Sequence, residues 1–62
     1  MAKTAALKSY IDARKKAAKG DDSELASAKK SAQDAGFSGA DLDSSDVDSL
    51  TVSYKNLKAE QE

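Results

Sequence analysis

Apolar side chains enter this chain at helical spacing. Leu7, Tyr10, Ile11, Arg14, Ala17 and Ala18 recur every three or four residues with lysines around them, which predicts a helix over residues 3–19 with one apolar stripe. Gly20 follows as a left-handed C-cap, and the basic last turn suits the negative end of the helix dipole. A second helix is expected over 22–35. Asp21 is placed to cap it, with Glu24 three residues on as the reciprocal member of a capping box. Its inner face reads Leu25, Ala28, Ala32 and Ala35, nearly all alanine, so a neighbouring helix can come close. Gly36 should end it, with Phe37 closing a Schellman motif.

Ser38 and Asp41 then form another start signal, with Phe37 and Leu42 as its hydrophobic staple, predicting a helical turn near 39–44. The run Asp43, Ser44, Ser45, Asp46 competes for backbone hydrogen bonds and predicts a break. Ser45 with Asp48 is the expected cap of a last helix over 46–60. On it Val47, Leu50, Tyr54, Leu57 and Gln61 keep a strict three-four seam, leaving Val52 outside. The class expected is all-α: one domain, 1–62, folded as a small antiparallel three-helix bundle with a short helical turn before the last helix. Leu7, Tyr10, Ile11, Leu25, Phe37, Leu42, Val47, Leu50, Tyr54 and Leu57 are its expected core. The alternative is a helical hairpin that completes its core in a homo-oligomer.

Composition makes that core thin. Hydrophobic residues are 39% of the 62, yet half of them are alanine, and the larger ones are those ten with Met1 and Val52. So few large side chains enclose no sizeable pocket, and no small-molecule substrate or cofactor is expected. A chain this short buries only about 60% of its unfolded surface, so a partner or a second copy would relieve a thin margin. There is no cysteine, which removes disulfide and thiolate-metal staples. No stretch approaches the roughly 18 apolar residues of a membrane span, and Lys3, Lys8 and Asp12 interrupt any signal-like apolar region. The default expectation is a soluble cytoplasmic or intracellular protein.

Charge is segregated along the chain. Residues 1–20 carry Lys3, Lys8, Arg14, Lys15, Lys16 and Lys19 against Asp12 alone, whereas residues 31–54 carry Asp34, Asp41, Asp43, Asp46 and Asp48 with no cation. These runs can attract each other within the fold, or each can meet an oppositely charged partner.

Catalysis is disfavoured by missing chemistry: without His or Cys the commonest general base, the thiolate nucleophile and the usual transition-metal ligands are gone. Asp41, Asp43 and Ser45 imitate the first three ligands of an EF-hand loop, but Asp46 stands where its glycine belongs and Val52 where its bidentate glutamate belongs. No metal is expected. Residues 32–38, Ala-Gln-Asp-Ala-Gly-Phe-Ser, resemble the turn of DNA-binding helix-turn-helix proteins. A recognition helix here would drive Asp41, Asp43, Asp46 and Asp48 into a phosphate-lined groove, so nothing is carried over from that family. The Gly-Phe-Ser step also resembles the loop of ubiquitin-associated domains, without the large apolar residues of the helix before it.

The leading expectation is therefore a non-enzymatic interaction or assembly module that binds a protein partner or its own copies, such as a structural component of a larger complex or a virion. A second is a nucleic-acid-associated accessory protein that sets Arg14, Lys15, Lys16 and Lys19 against phosphates, weakly and without reading bases. A third is an acidic decoy that presents Asp41, Asp43, Asp46 and Asp48 to a basic protein.

Overall fold

A computed structural model describes residues 3–61 and, of Gln61, the backbone alone. The expectations for Met1 and for the Gln61 side chain lie outside the described residues. The chain forms α1 (Lys3–Ala18), α2 (Leu25–Asp34), the short α3 (Gly39–Ser44) and α4 (Val47–Gln61). These make an all-α, antiparallel three-helix bundle in which α3 is the helical turn between α2 and α4.

Local chemistry sets most boundaries. Gly20 and Gly36 take φ of 105° and 115°, a conformation that costs an L side chain roughly 1–2 kcal/mol and glycine almost nothing. Each completes a Schellman pair. Asp21 N–H donates to the Lys16 carbonyl at 2.9 Å and Gly20 N–H to that of Ala17 at 3.0 Å. At the end of α2, Phe37 N–H donates to the Ala32 carbonyl at 3.1 Å and Gly36 N–H to that of Gln33 at 3.0 Å. Ser38 caps α3 by accepting the Asp41 N–H at 3.5 Å.

Two caps differ from the sequence expectation. The Asp21–Glu24 capping box does not form, and α2 starts at Leu25, behind a Glu24 that makes no side-chain cap. Both carboxylates are engaged elsewhere. Asp21 accepts from the Ser23 hydroxyl at 2.7 Å and the Ser23 N–H at 3.2 Å, while Glu24 accepts from Lys16 at 2.6 Å. At α4 the cap is Asp46, which accepts the Ser49 N–H at 2.8 Å. Ser45 serves instead as the C-cap of α3.

Among the described residues the buried hydrophobic side chains are Leu7, Tyr10, Ile11, Ala13, Ala32, Leu42 and Leu50. Leu25, Ala28, Phe37, Val47, Tyr54 and Leu57 pack around them, partly exposed. Helix α1 is the centre of the arrangement: it approaches both α2 and α4 closely, and those two approach each other less closely. A helix held from two sides buries a wider arc than one stripe. This is why Ala13 is buried here, while Ala18 in the last turn is exposed. The Cα radius of gyration, 10.8 Å, is close to the roughly 10.6 Å expected of a folded chain this long.

Candidate interaction surfaces

No polar or charged residue among those described is buried, and no buried side-chain nitrogen or oxygen among them lacks a hydrogen-bond partner. The chemistry of the fold is therefore at its surface. It begins with a network on the edge of the core. Tyr10 donates its hydroxyl proton to the Leu42 carbonyl at 3.1 Å, and Arg14 donates to the same carbonyl at 3.0 Å and to the Tyr10 oxygen at 3.1 Å. The guanidinium carbon lies 5.7 Å from the Tyr10 ring centroid. Leu42 lies in the last turn of α3, where carbonyls have no partner within the helix, so α1 satisfies from outside what α3 cannot satisfy itself.

The four candidate basic residues consequently separate. Arg14 is half-buried and turned onto Tyr10 and Leu42. Lys16 is exposed but engaged by Glu24, whose hydrogen bond and charge hold its amine above the ordinary value. Lys15 and Lys19 are exposed and form no ion pair among the described residues. With Lys8 and Asp12, at spacings of four, three and four, they mark one outward line on α1 and just past its end.

The acidic candidates separate in the same way. Asp43 pairs with Lys29 of α2 at 2.7 Å. Asp46 caps α4, and the Ser49 N–H, the Ser49 hydroxyl and the nearby Arg14 charge hold its carboxyl below the usual range. Asp41 and Asp48 are exposed without an ion pair among the described residues. Part of the segregated charge is therefore consumed inside the fold, at Lys16–Glu24 and Lys29–Asp43. Exposed pairs of this kind contribute little stability, because water screens them and holding two long side chains in place costs entropy.

An open polar groove of about 490 Å³ between α1 and α2 is walled by Ser9, Ser27 and Ser31 over Ala13 and Ala28. A smaller cleft of about 240 Å³ has Leu7, Phe37, Leu42 and Leu50 at its base and Asp41 at its rim. Lys3 lies over the Phe37 ring, 5.6 Å from its centroid. No group of three or more His, Cys, Asp or Glu among the described residues could hold a metal. Asp41 and Asp43, part of the calcium-like run, lie within α3, and no described helix is long and apolar enough to cross a membrane.

One surface feature remains, on α4. Val52 is 58% exposed and is the only large hydrophobic side chain among the described residues to be exposed. Comparison with family models, with curated proteins and with solved structures gives no match for this chain. Any functional reading therefore rests on these surfaces.

Proposed function

We propose that this chain is a non-enzymatic helical interaction module that assembles with another protein chain, a copy of itself or a partner, as a component of a larger complex. The observation that carries the proposal is the state of α4. Of its described side chains only Leu50 is fully buried, while Val47, Tyr54 and Leu57 are half-covered along the seam and the opposite face is in water. A helix of 15 residues is marginal in water without tertiary packing. A chain that binds the folded form and not the unfolded one stabilises that helix by mass action.

Sedimentation equilibrium over about a hundredfold range of concentration, with circular dichroism on the same samples, tests the self-assembly form. Mass and helicity rising together support it, and a fully helical monomer throughout overturns it. The nucleic-acid reading draws on one observation: Lys8 and Lys15 on the outer side of α1, and Lys19 just past its end, are exposed and form no ion pair among the described residues. With Arg14 and Lys16 engaged, it predicts that few phosphates are neutralised and hence a shallow dependence of affinity on salt. Binding to generic DNA that ignores both salt and the change Lys15→Glu, Lys16→Glu rules it out.

A further inference from the structure

The outer face of α4 is self-complementary. Asp48, Val52, Lys55 and Ala59 follow one another at spacings of four, three and four, and all four are exposed. At about 100° per residue they fall within an arc of about 60°. This line lies opposite the Leu50 seam, away from α1. Asp48 is at its N-terminal end and Lys55 toward its C-terminal end, with Val52 between them. Neither Asp48 nor Lys55 has an ion-pair partner among the described residues. Lys58 and Glu60 project about 80–120° to the side of Val52, and Asp46 is occupied at the cap.

We infer that two copies of the chain pair through this face, α4 against α4 and antiparallel, about a two-fold axis passing at Val52. The inference rests on the assembly reading above and names the surface and the partner. Register decides the orientation. In an antiparallel pair centred on Val52, residue 48 of one copy lies opposite residue 56 of the other. The Asp48 carboxylate is then within one residue, about 1.5 Å along the axis, of the position opposite Lys55. Symmetry makes two such ion pairs, one on each side of a Val52–Val52 contact. A parallel pairing would instead set Asp48 against Asp48 and Lys55 against Lys55, so the charges select the antiparallel arrangement. The contact is isologous, with the same patch on both copies, and it closes as a dimer instead of growing into a fibre. One valine and two exposed ion pairs make a weak contact, whose association falls as salt rises.

The test uses the whole chain in sedimentation equilibrium, at low salt and up to millimolar concentration. Asp48→Lys and Lys55→Glu should each weaken self-association by about tenfold or more, because each turns two attractions into two repulsions. An equimolar mixture of the two variants should associate again, since one variant then carries lysine at both positions and the other a carboxylate at both. Val52→Gln should also weaken association. Glutamine favours helix more than valine, so that loss cannot come from a weakened α4, and circular dichroism checks that each variant, when dissociated, is as helical as the dissociated wild-type chain. Self-association left unchanged by all three substitutions overturns this interface and leaves the assembly reading standing. A wild-type chain that stays monomeric over the whole range overturns the interface together with self-assembly. Loss in the single variants without recovery in the mixture overturns the antiparallel register.

Discussion

Removing the Leu50 side chain should loosen α4 selectively. Leu50 is 4% exposed and, among the described side chains of α4, is the one wholly inside the core. Replacing a buried leucine by alanine costs about 2–5 kcal/mol, the transfer of its methyl groups plus the cavity left behind. A 62-residue domain holds about 3–9 kcal/mol at the usual 0.05–0.15 kcal/mol per residue. At the middle of both ranges, Leu50→Ala should therefore consume about half of the total. Val52→Ala, at 58% exposure, is the matched control in protein dilute enough to be monomeric, where it should stay within about 0.5 kcal/mol. Urea unfolding followed by circular dichroism reads both. If α4 detaches while α1 and α2 persist, the variant should lose up to about a third of its helical signal, since the four helices hold 16, 10, 6 and 15 residues. Equal costs for Leu50→Ala and Val52→Ala would show that α4 is not held through Leu50, and the reasoning about its dependence on a second chain would fall.

Three further outcomes follow from the same contacts. Tyr10→Phe should cost only about 0.5–1.5 kcal/mol in chemical denaturation, because Arg14 still donates to the Leu42 carbonyl and no buried acceptor is orphaned; a loss above about 3 kcal/mol would contradict this. Gly36→Ala should cost about 1–2 kcal/mol from the positive φ. The added Cβ meets only the flexible end of Lys3, at 3.0 Å, so a much larger thermal shift would mean that the site is crowded by more than that side chain. The carboxyls of Asp21, through its Ser23 hydrogen bonds, and Asp46, through Ser49, both titrate below the ordinary range. Their contribution is fully present above the unfolded value of about 3.9 and is lost as pH falls through the folded values. The melting temperature should accordingly drop below about pH 4, and Asp46→Ala should flatten that acid limb. Lys16 has the opposite sign: its raised value keeps its contribution intact below about pH 10 and releases it above.

Much of the fold is legible in the sequence because local rules and tertiary packing agree. Gly20 and Gly36 end their helices as their position just past the last residues at helical spacing implies. Leu7, Tyr10, Ile11 and Leu50 are buried where the three-four spacing puts them, and Val52 is exposed where the same spacing excludes it. The failures come from competition between partners. The Asp21–Glu24 box is a good local motif, but Lys16 reaches Glu24 from the preceding helix and Ser23 takes Asp21. Ala13 is buried because α1 is gripped from two sides, which one stripe does not convey. The basic set is the hardest to anticipate: Arg14 and Lys15 are neighbours in sequence, yet the first is drawn to the end of α3 by a carbonyl 28 residues away and the second stays in water. The α4 face behind the proposed dimer shows in the sequence only as a valine outside its seam, because its meaning depends on which sides of α4 the rest of the fold leaves open.

Amide hydrogen exchange resolved along the chain, at concentrations well below and well above the onset of association, tests the dependence of α4 on a second chain most directly. The dilute protein should protect α4 less than α1, and protection in α4 should rise with concentration. Protection in α4 equal to that of α1 and independent of concentration would contradict this, since α4 would then need no second chain.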